Sequence, residues 1–124
     1  MTHDAQAIAG RYIACWNERD GERRRALLAA LWTEDAVYAD PLMRGEGRAG
    51  IEALIEGVQA RFPEFRFAPK GRADGHGDYL RFSWSLGPAG GEAVVEGTDF
   101  AVVSADGRLH GVTGFLDRVP PRQG

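Results

Sequence analysis

Apolar positions change their period once along the chain. Up to Pro63 they recur at helical spacing, and beyond it they alternate. Ile8, Tyr12, Cys15 and Trp16 fall on one helical face, widened by Ile13. That predicts a helix over about Asp4 to Arg19, capped by Thr2 or Asp4 and ended by Asp20-Gly21. A second helix is predicted over about Glu22 to Trp32, with Ala26, Leu27, Ala30 and Leu31 inward. A third runs from about Ala49 to Arg61 on Ile51, Leu54, Ile55 and Val58, and Pro63 stops it. Between the last two, Ala36 to Asp40 reads as a short strand and Pro41 to Gly50 as a turn-rich loop.

Four strands are predicted after Pro63. Glu64 to Arg72 alternates through Phe65 and Phe67. Tyr79 to Leu86 sets Leu80, Phe82, Trp84 and Leu86 against Tyr79, Arg81, Ser83 and Ser85. Glu92 to Val103 and Arg108 to Arg118 complete the set, with turns at Asp74 to Asp78, Gly87 to Gly91 and Ser104 to Gly107. Helices first and strands afterwards is the α+β pattern: a curved antiparallel sheet covered on one face by three N-terminal helices. Such a sheet leaves a cavity at its open end. Its other face keeps apolar residues, which predicts a homodimer through the sheet.

Length and charge narrow the function classes. The 124 residues suit a single domain, 1–124, with 1–3 and 120–124 expected to fray. A net charge of −3 supplies no basic field for nucleic acid or anionic lipid. Positive charge is almost all arginine, Lys70 being the only lysine. Arg23, Arg24 and Arg25 oppose the dipole of the second helix and read as a solvated face. Cys15 is the only cysteine, which excludes an intrachain disulfide and reads as a small buried residue. His3, His76 and His110 are too scattered for a metal site, and phosphate-loop, dinucleotide and nucleophile-elbow motifs are missing. The N-terminus has no signal pattern and no apolar run could span a bilayer, so a soluble cytoplasmic protein is expected.

Two acids and a tyrosine carry candidate chemistry. Asp40 precedes Pro41 at a strand end, where a carboxylate is either a turn residue or the mouth of a pocket. Asp99 falls on the apolar face Ala93, Val95, Gly97, Asp99, Ala101 and Val103. An acid there is costly unless bonded, protonated or open to a cavity. It reads either as a carboxyl with a raised pKa or as a carboxylate, paired with an arginine such as Arg81 or tied to backbone amides. Tyr12 is either core or a neutral hydrogen-bond donor. Trp16, Trp32, Phe62, Trp84 and Val95 are candidate walls of the cavity, Tyr38 shares the face of Asp40, and His110 shares that of Val112, Gly114 and Leu116.

Arg11 to Asp20, Leu31 to Pro41, Arg48-Ala49-Gly50-Ile51, Gly97-Thr98-Asp99-Phe100 and Asp106-Gly107-Arg108 together resemble the nuclear transport factor 2-like superfamily. The likeness is to its SnoaL-like and ketosteroid isomerase-like members and covers nearly the whole chain. It implies a cone of curved antiparallel sheet wrapped on three helices (the cystatin-like fold), commonly dimeric. By position, Tyr12, Asp40 and Asp99 match the tyrosine, the base before proline and the protonated aspartate of ketosteroid isomerase. In SnoaL-like cyclases the acid on the later strand can instead serve ring closure by aldol chemistry.

The expectation is a cofactor-independent isomerase or cyclase moving protons on a small, apolar or aromatic carbonyl compound, with Asp40, Asp99 and Tyr12 catalytic. Two alternatives stand beside it. One is a non-catalytic ligand-binding or dimerisation domain in which Asp99 is structural. The other is an epoxide hydrolase, needing an Asp-Arg-Asp arrangement that Arg81 could complete.

Overall fold

A computed structural model describes residues 3–120. Helix α1 spans Ala5–Asn17, α2 Gly21–Leu31 and α3 Gly47–Arg61. The strands are β1 Trp32–Ala39, β2 Arg44–Glu46, β3 Phe65–His76, β4 Tyr79–Pro88, β5 Val95–Val103 and β6 Leu109–Arg118. They form one curved, unclosed sheet in the order β2-β1-β6-β5-β4-β3, antiparallel except where β1 runs parallel to β6. The fold is α+β, as the change of period predicts.

Capping explains the first two helix starts. Asp4 accepts a hydrogen bond from the Ala7 N–H and Asp20 one from the Arg23 N–H. Asp20 therefore opens α2 rather than closing α1, which ends at Asn17. The α1 face meets expectation, with Ile8, Tyr12, Ile13, Cys15 and Trp16 buried. In α2 the inward residues are Leu28 and Leu31, Leu27 is half-buried, and Ala26 and Ala30 are exposed. The larger side chains win the core because they bury more apolar area.

Arg24 is a correction: it is buried, not solvated. Its guanidinium donates to the Glu18 carbonyl, Gln59 Oε1 and Glu52 Oε2, and Glu56 lies 3.6 Å away. A fork of five donors satisfied by α3 and the α1–α2 turn can be buried where a bare charge cannot.

Other boundaries move too. β1 begins at Trp32, because a register shift between Trp32 and Val37 keeps both ends paired with β6. The loop after Pro41 contains β2, and β5 starts at Val95 rather than Glu92. β3 is an edge strand, and α1 covers it. Asn17 both donates to the Phe67 carbonyl and accepts from the Phe67 N–H, as a neighbouring strand would. His3, expected to fray, contacts Asp78 at 3.1 Å. Residues 1–2 and 121–124, also expected to fray, lie outside the described residues.

Candidate functional site

Three adjacent strands set the geometry. The parallel register pairs Ala39 with Thr113, so Asp40, the next residue, comes beside Gly114 on β6. The antiparallel register pairs Gly114 with Asp99 from the other side. Asp40, Gly114 and Asp99 thus form a row across β1, β6 and β5. A Cβ on Gly114 would lie 2.9 Å from Asp99 Oδ1, 3.1 Å from Asp40 Cβ and 3.2 Å from Tyr38 Oη. Only glycine lets the groups on both sides come this close.

Each acid has its own tyrosine. Tyr12 reaches down from α1 and donates to Asp99 Oδ2 at 2.5 Å. Tyr38 donates to Asp40 Oδ2 at 2.6 Å. The two carboxyls differ otherwise. Asp40 is half-buried, and its Oδ1 also accepts the Leu42 and Met43 N–H groups at 2.7 and 3.0 Å. Asp40 is thus a turn residue and a site residue together. Asp99 is 1% exposed, and its Oδ1 has no partner among the described residues.

That difference sets the electrostatics. Burial pushes the Asp99 carboxyl up to about 6, against the pull of the Tyr12 hydroxyl and the Trp84 indole. The charges of Asp40 and Asp117 add to the rise. Burial, with the Asp99 charge next, holds both Tyr12 and Tyr38 well above the ordinary phenol range. The phenols are therefore neutral donors at physiological pH. Burial likewise pushes the Cys15 thiol up to about 12, in keeping with an inert core residue.

Among the described residues Asp99 has no arginine partner. Arg81 is exposed on the outer face and grips Asp74 through Nε and Nη2 at 2.8 and 3.2 Å. The expected Arg81 partnership is thus overturned: alternation puts Arg81 and Asp99 on opposite faces of the sheet. The same finding removes Arg81 from an Asp-Arg-Asp arrangement around a water.

The predicted walls divide. Trp16 lies 6.1 Å from the Tyr12 ring and 5.5 Å from the Tyr38 ring, centroid to centroid, and Trp32 lies 5.9 Å from Tyr12. Trp84 lies over Gly97 and against Phe67, and Val95 begins β5 four residues before Asp99. Phe62 is half-buried beside Phe65 at the end of α3. His110 is a correction. The register shifts between the pairs Val103–Leu109 and Val102–Gly111, leaving His110 unpaired in a bulge. Its side chain is exposed, 3.7 Å from Asp35.

Sequence reasoning did not single out Phe82, which pairs with Asp99 across β4 and β5 and meets the Tyr12 ring edge-on at 4.8 Å. Its alternation with Leu80 and Trp84 was visible; only the strand register puts it beside the acid. Two clefts, of about 530 and 430 Å³, lie elsewhere. The first is bordered by Ile13, Asn17, Leu27 and Phe67, the second by Asp74, Tyr79, Arg81 and Phe100. None of the predicted wall residues borders either cleft.

Helices laid on one face of a curved sheet, over a buried acid that has no cationic partner among the described residues, define an α+β fold with a carboxyl enclosed among aromatic rings. The chain belongs to the SnoaL-like domain family, whose model matches residues 9–111. It is similar to a provisionally named isomerase of the SnoaL-like family from Agrobacterium tumefaciens, at 48% identity and a TM-score of 0.87 over 91% of this chain and 97% of that one. A provisionally named polyketide cyclase from Sinorhizobium meliloti shares the fold at 17% identity and a TM-score of 0.67, over 87% and 93% of the two chains. A nuclear transport factor 2-like protein of unknown function from Exiguobacterium does so at 19% and 0.70, over 89% and 98%. No functionally curated protein matches the chain. Among the described residues no helix is long and apolar enough to cross a membrane.

Proposed function

We propose that this protein is an enzyme that moves protons at carbon on a small, largely apolar carbonyl compound, as an isomerase or a cyclase. One observation carries the reading: among the described residues Asp99 is buried without a cation, tied to Tyr12 through one oxygen and left with the other unpaired. A carboxyl in that setting favours its neutral form, and a neutral acid can donate to an oxygen that gains negative charge.

In the proposed reaction the Asp40 carboxylate takes a proton from the carbon next to the carbonyl. The electron pair moves onto the carbonyl oxygen, which the Tyr12–Asp99 unit stabilises. For isomerisation, Asp40 returns its proton to a different carbon. For ring closure, the enolate carbon attacks a second carbonyl and the new alkoxide takes the proton. The half-burial of Asp40 suits the mobile partner, and the full burial of Asp99 suits the fixed one. The 48% identical relative named as an isomerase supports the isomerase branch.

A second reading, a binding domain without catalysis, is favoured by the closure of Asp99 and by the turn-capping bonds of Asp40. Titration of the Asp99 carboxyl carbon by NMR, assigned with Asp99→Asn, separates the two. A midpoint near 6 that moves when a phenolic oxyanion analogue binds supports catalysis. An ordinary midpoint with no analogue binding overturns it.

A further inference from the structure

The free edge of β3 is closed by side chains from α1 and from the turn after it. Gln6, in the first turn of the helix, accepts from the Ala73 N–H at 3.2 Å. Asn17, the last helical residue, accepts from the Phe67 N–H at 2.7 Å and donates to the Phe67 carbonyl at 2.9 Å. Arg19 donates to the Phe65 carbonyl at 3.1 Å. Between Phe67 and Ala73 stands Pro69, which has no N–H to offer. Helix and strand therefore run antiparallel, with side chains where another strand would place its backbone.

Asn17 is the member of this set that imitates a strand. Its primary amide carries the donor and the acceptor of a peptide unit, and one residue engages both, as in an antiparallel ladder. Asparagine is a poor helix former, so the last turn of α1 gives up some propensity to hold it there. The seam is not otherwise filled. A cleft of about 530 Å³ runs beside it, bordered by Gly10, Ala14 and Asn17 on the helix and by Arg66, Phe67 and Pro69 on the strand. A Cβ added to Gly10 would meet nothing within 4 Å. The Phe67 backbone is thus covered by one amide reaching across a gap, rather than by a closely packed helix.

We propose that Asn17 is a plug in a strand-pairing surface, and that the partner this surface fits is the same edge of a second copy of the chain. Two β3 edges set antiparallel about Phe67 exchange both Phe67 hydrogen bonds with each other. In that register Phe65 comes opposite Pro69, and Glu64 opposite Lys70, which gives an opposite-charge pair at each end of the ladder. The Phe67 ring stays on the inner face, where it meets Trp16 and Trp84 at 5.6 and 5.2 Å, centroid to centroid. Pro69 withholds a donor at each end, and Lys70 is already 2.9 Å from Glu96 of its own chain. The ladder is therefore short, and one amide is enough to prevent it. Nothing in this role depends on the chemistry at Asp99.

The test uses the whole chain, with light scattering for mass and amide hydrogen exchange at Phe67, each compared with wild type at matched concentration. Asn17→Ala removes both bonds and is expected to double in mass as concentration rises, with the Phe67 N–H better protected in the heavier species than in the lighter. Asn17→Asp keeps an acceptor for that N–H and sets a charge on the edge, so it is expected to stay at the wild-type mass. Its charge opposes the helix dipole, so it gains no stability over the alanine variant from that source. Lys70→Glu added to Asn17→Ala puts like charges at both ends of the ladder and is expected to weaken association about tenfold. Asn17→Ala at the wild-type mass with a freely exchanging Phe67 N–H would overturn the proposal. Equal association of the alanine and aspartate variants would overturn it too, as the mark of lost stability alone. So would a heavier species with Phe67 left unprotected, or one indifferent to Lys70→Glu, since the contact would then lie elsewhere. If Asn17→Ala does not fold, Asn17→Ser, too short to span both backbone groups, is read in the same way.

Discussion

Tyr12 and Asp99 meet across the two layers of the fold, 87 positions apart in sequence, through a hydrogen bond of 2.5 Å. The bond joins the first helix to the fifth strand inside the core, so it is part of the packing as well as of the site. It also satisfies only half of Asp99. A fully paired carboxylate would be settled in its charged form; this one is held between a donor that favours charge and a burial that opposes it.

Stability should fall as pH rises through the titration of Asp99. The folded-state value is raised to about 6, above an unfolded value near 3.9. The unfolded chain therefore loses this proton first. Below about pH 4 the group costs nothing, and above about pH 6 the folded state bears the whole penalty, about 3 kcal/mol for a shift of about two units. Asp99→Asn cannot ionise, so the stability of the variant relative to wild type should rise between pH 4 and 7. Urea denaturation at both pH values checks it; a pH-independent difference would contradict a raised value.

Tyr12→Phe should move the Asp99 midpoint further up, above about 6, because the Tyr12 hydroxyl is the largest influence holding it down. The variant leaves both Asp99 oxygens without a hydroxyl donor. Its destabilisation should be about 1–3 kcal/mol at pH 7 and smaller at pH 4, where a neutral carboxyl loses less. Carboxyl-carbon NMR and denaturation at the two pH values read both effects. A midpoint that falls would show that the bond does not favour the charged form.

Gly114→Ala should be destabilising by about 1–3 kcal/mol, since its Cβ would crowd Asp99, Asp40 and Tyr38 at 2.9–3.2 Å. Gly10→Ala is the control. It lies inside α1 with nothing within 4 Å of an added Cβ, so the gain in helix propensity should stabilise by about 0.5–1 kcal/mol. Opposite signs from the same chemical change would place the strain at the site. Equal small effects would mean that the row of Asp40, Gly114 and Asp99 can relax.

Much of this arrangement was legible before the structure. The switch of period at Pro63 gave the α+β order, and alternation put Asp99 on the inner face of its strand. What alternation could not give is register. The parallel pairing of β1 with β6 depends on contacts between segments some 70 residues apart, and it alone sets Asp40 beside Gly114. The bulge that turns His110 outward is likewise a property of the pair β5–β6, not of either strand. Phe82 was hidden for the same reason. Arg24 was misread because helical spacing locates a charge on a face but not the partners that make its burial tolerable.

Arg24 gives the sharpest check of that last point. Its guanidinium bonds the Glu18 carbonyl at the C-cap of α1 and Gln59 and Glu52 on α3, tying three helices through one side chain. Removing one partner of a buried pair leaves the other uncompensated, at a cost on the order of 3 kcal/mol. Arg24→Ala should lose about that much on denaturation. Arg23→Ala, one position earlier and exposed, should stay within about 0.5 kcal/mol of wild type. Arg24→Met keeps much of the buried stem but not the donors, so it should recover only part of the loss. Equal behaviour of Arg23 and Arg24 would return both to the solvated face that their place in the first turn suggests.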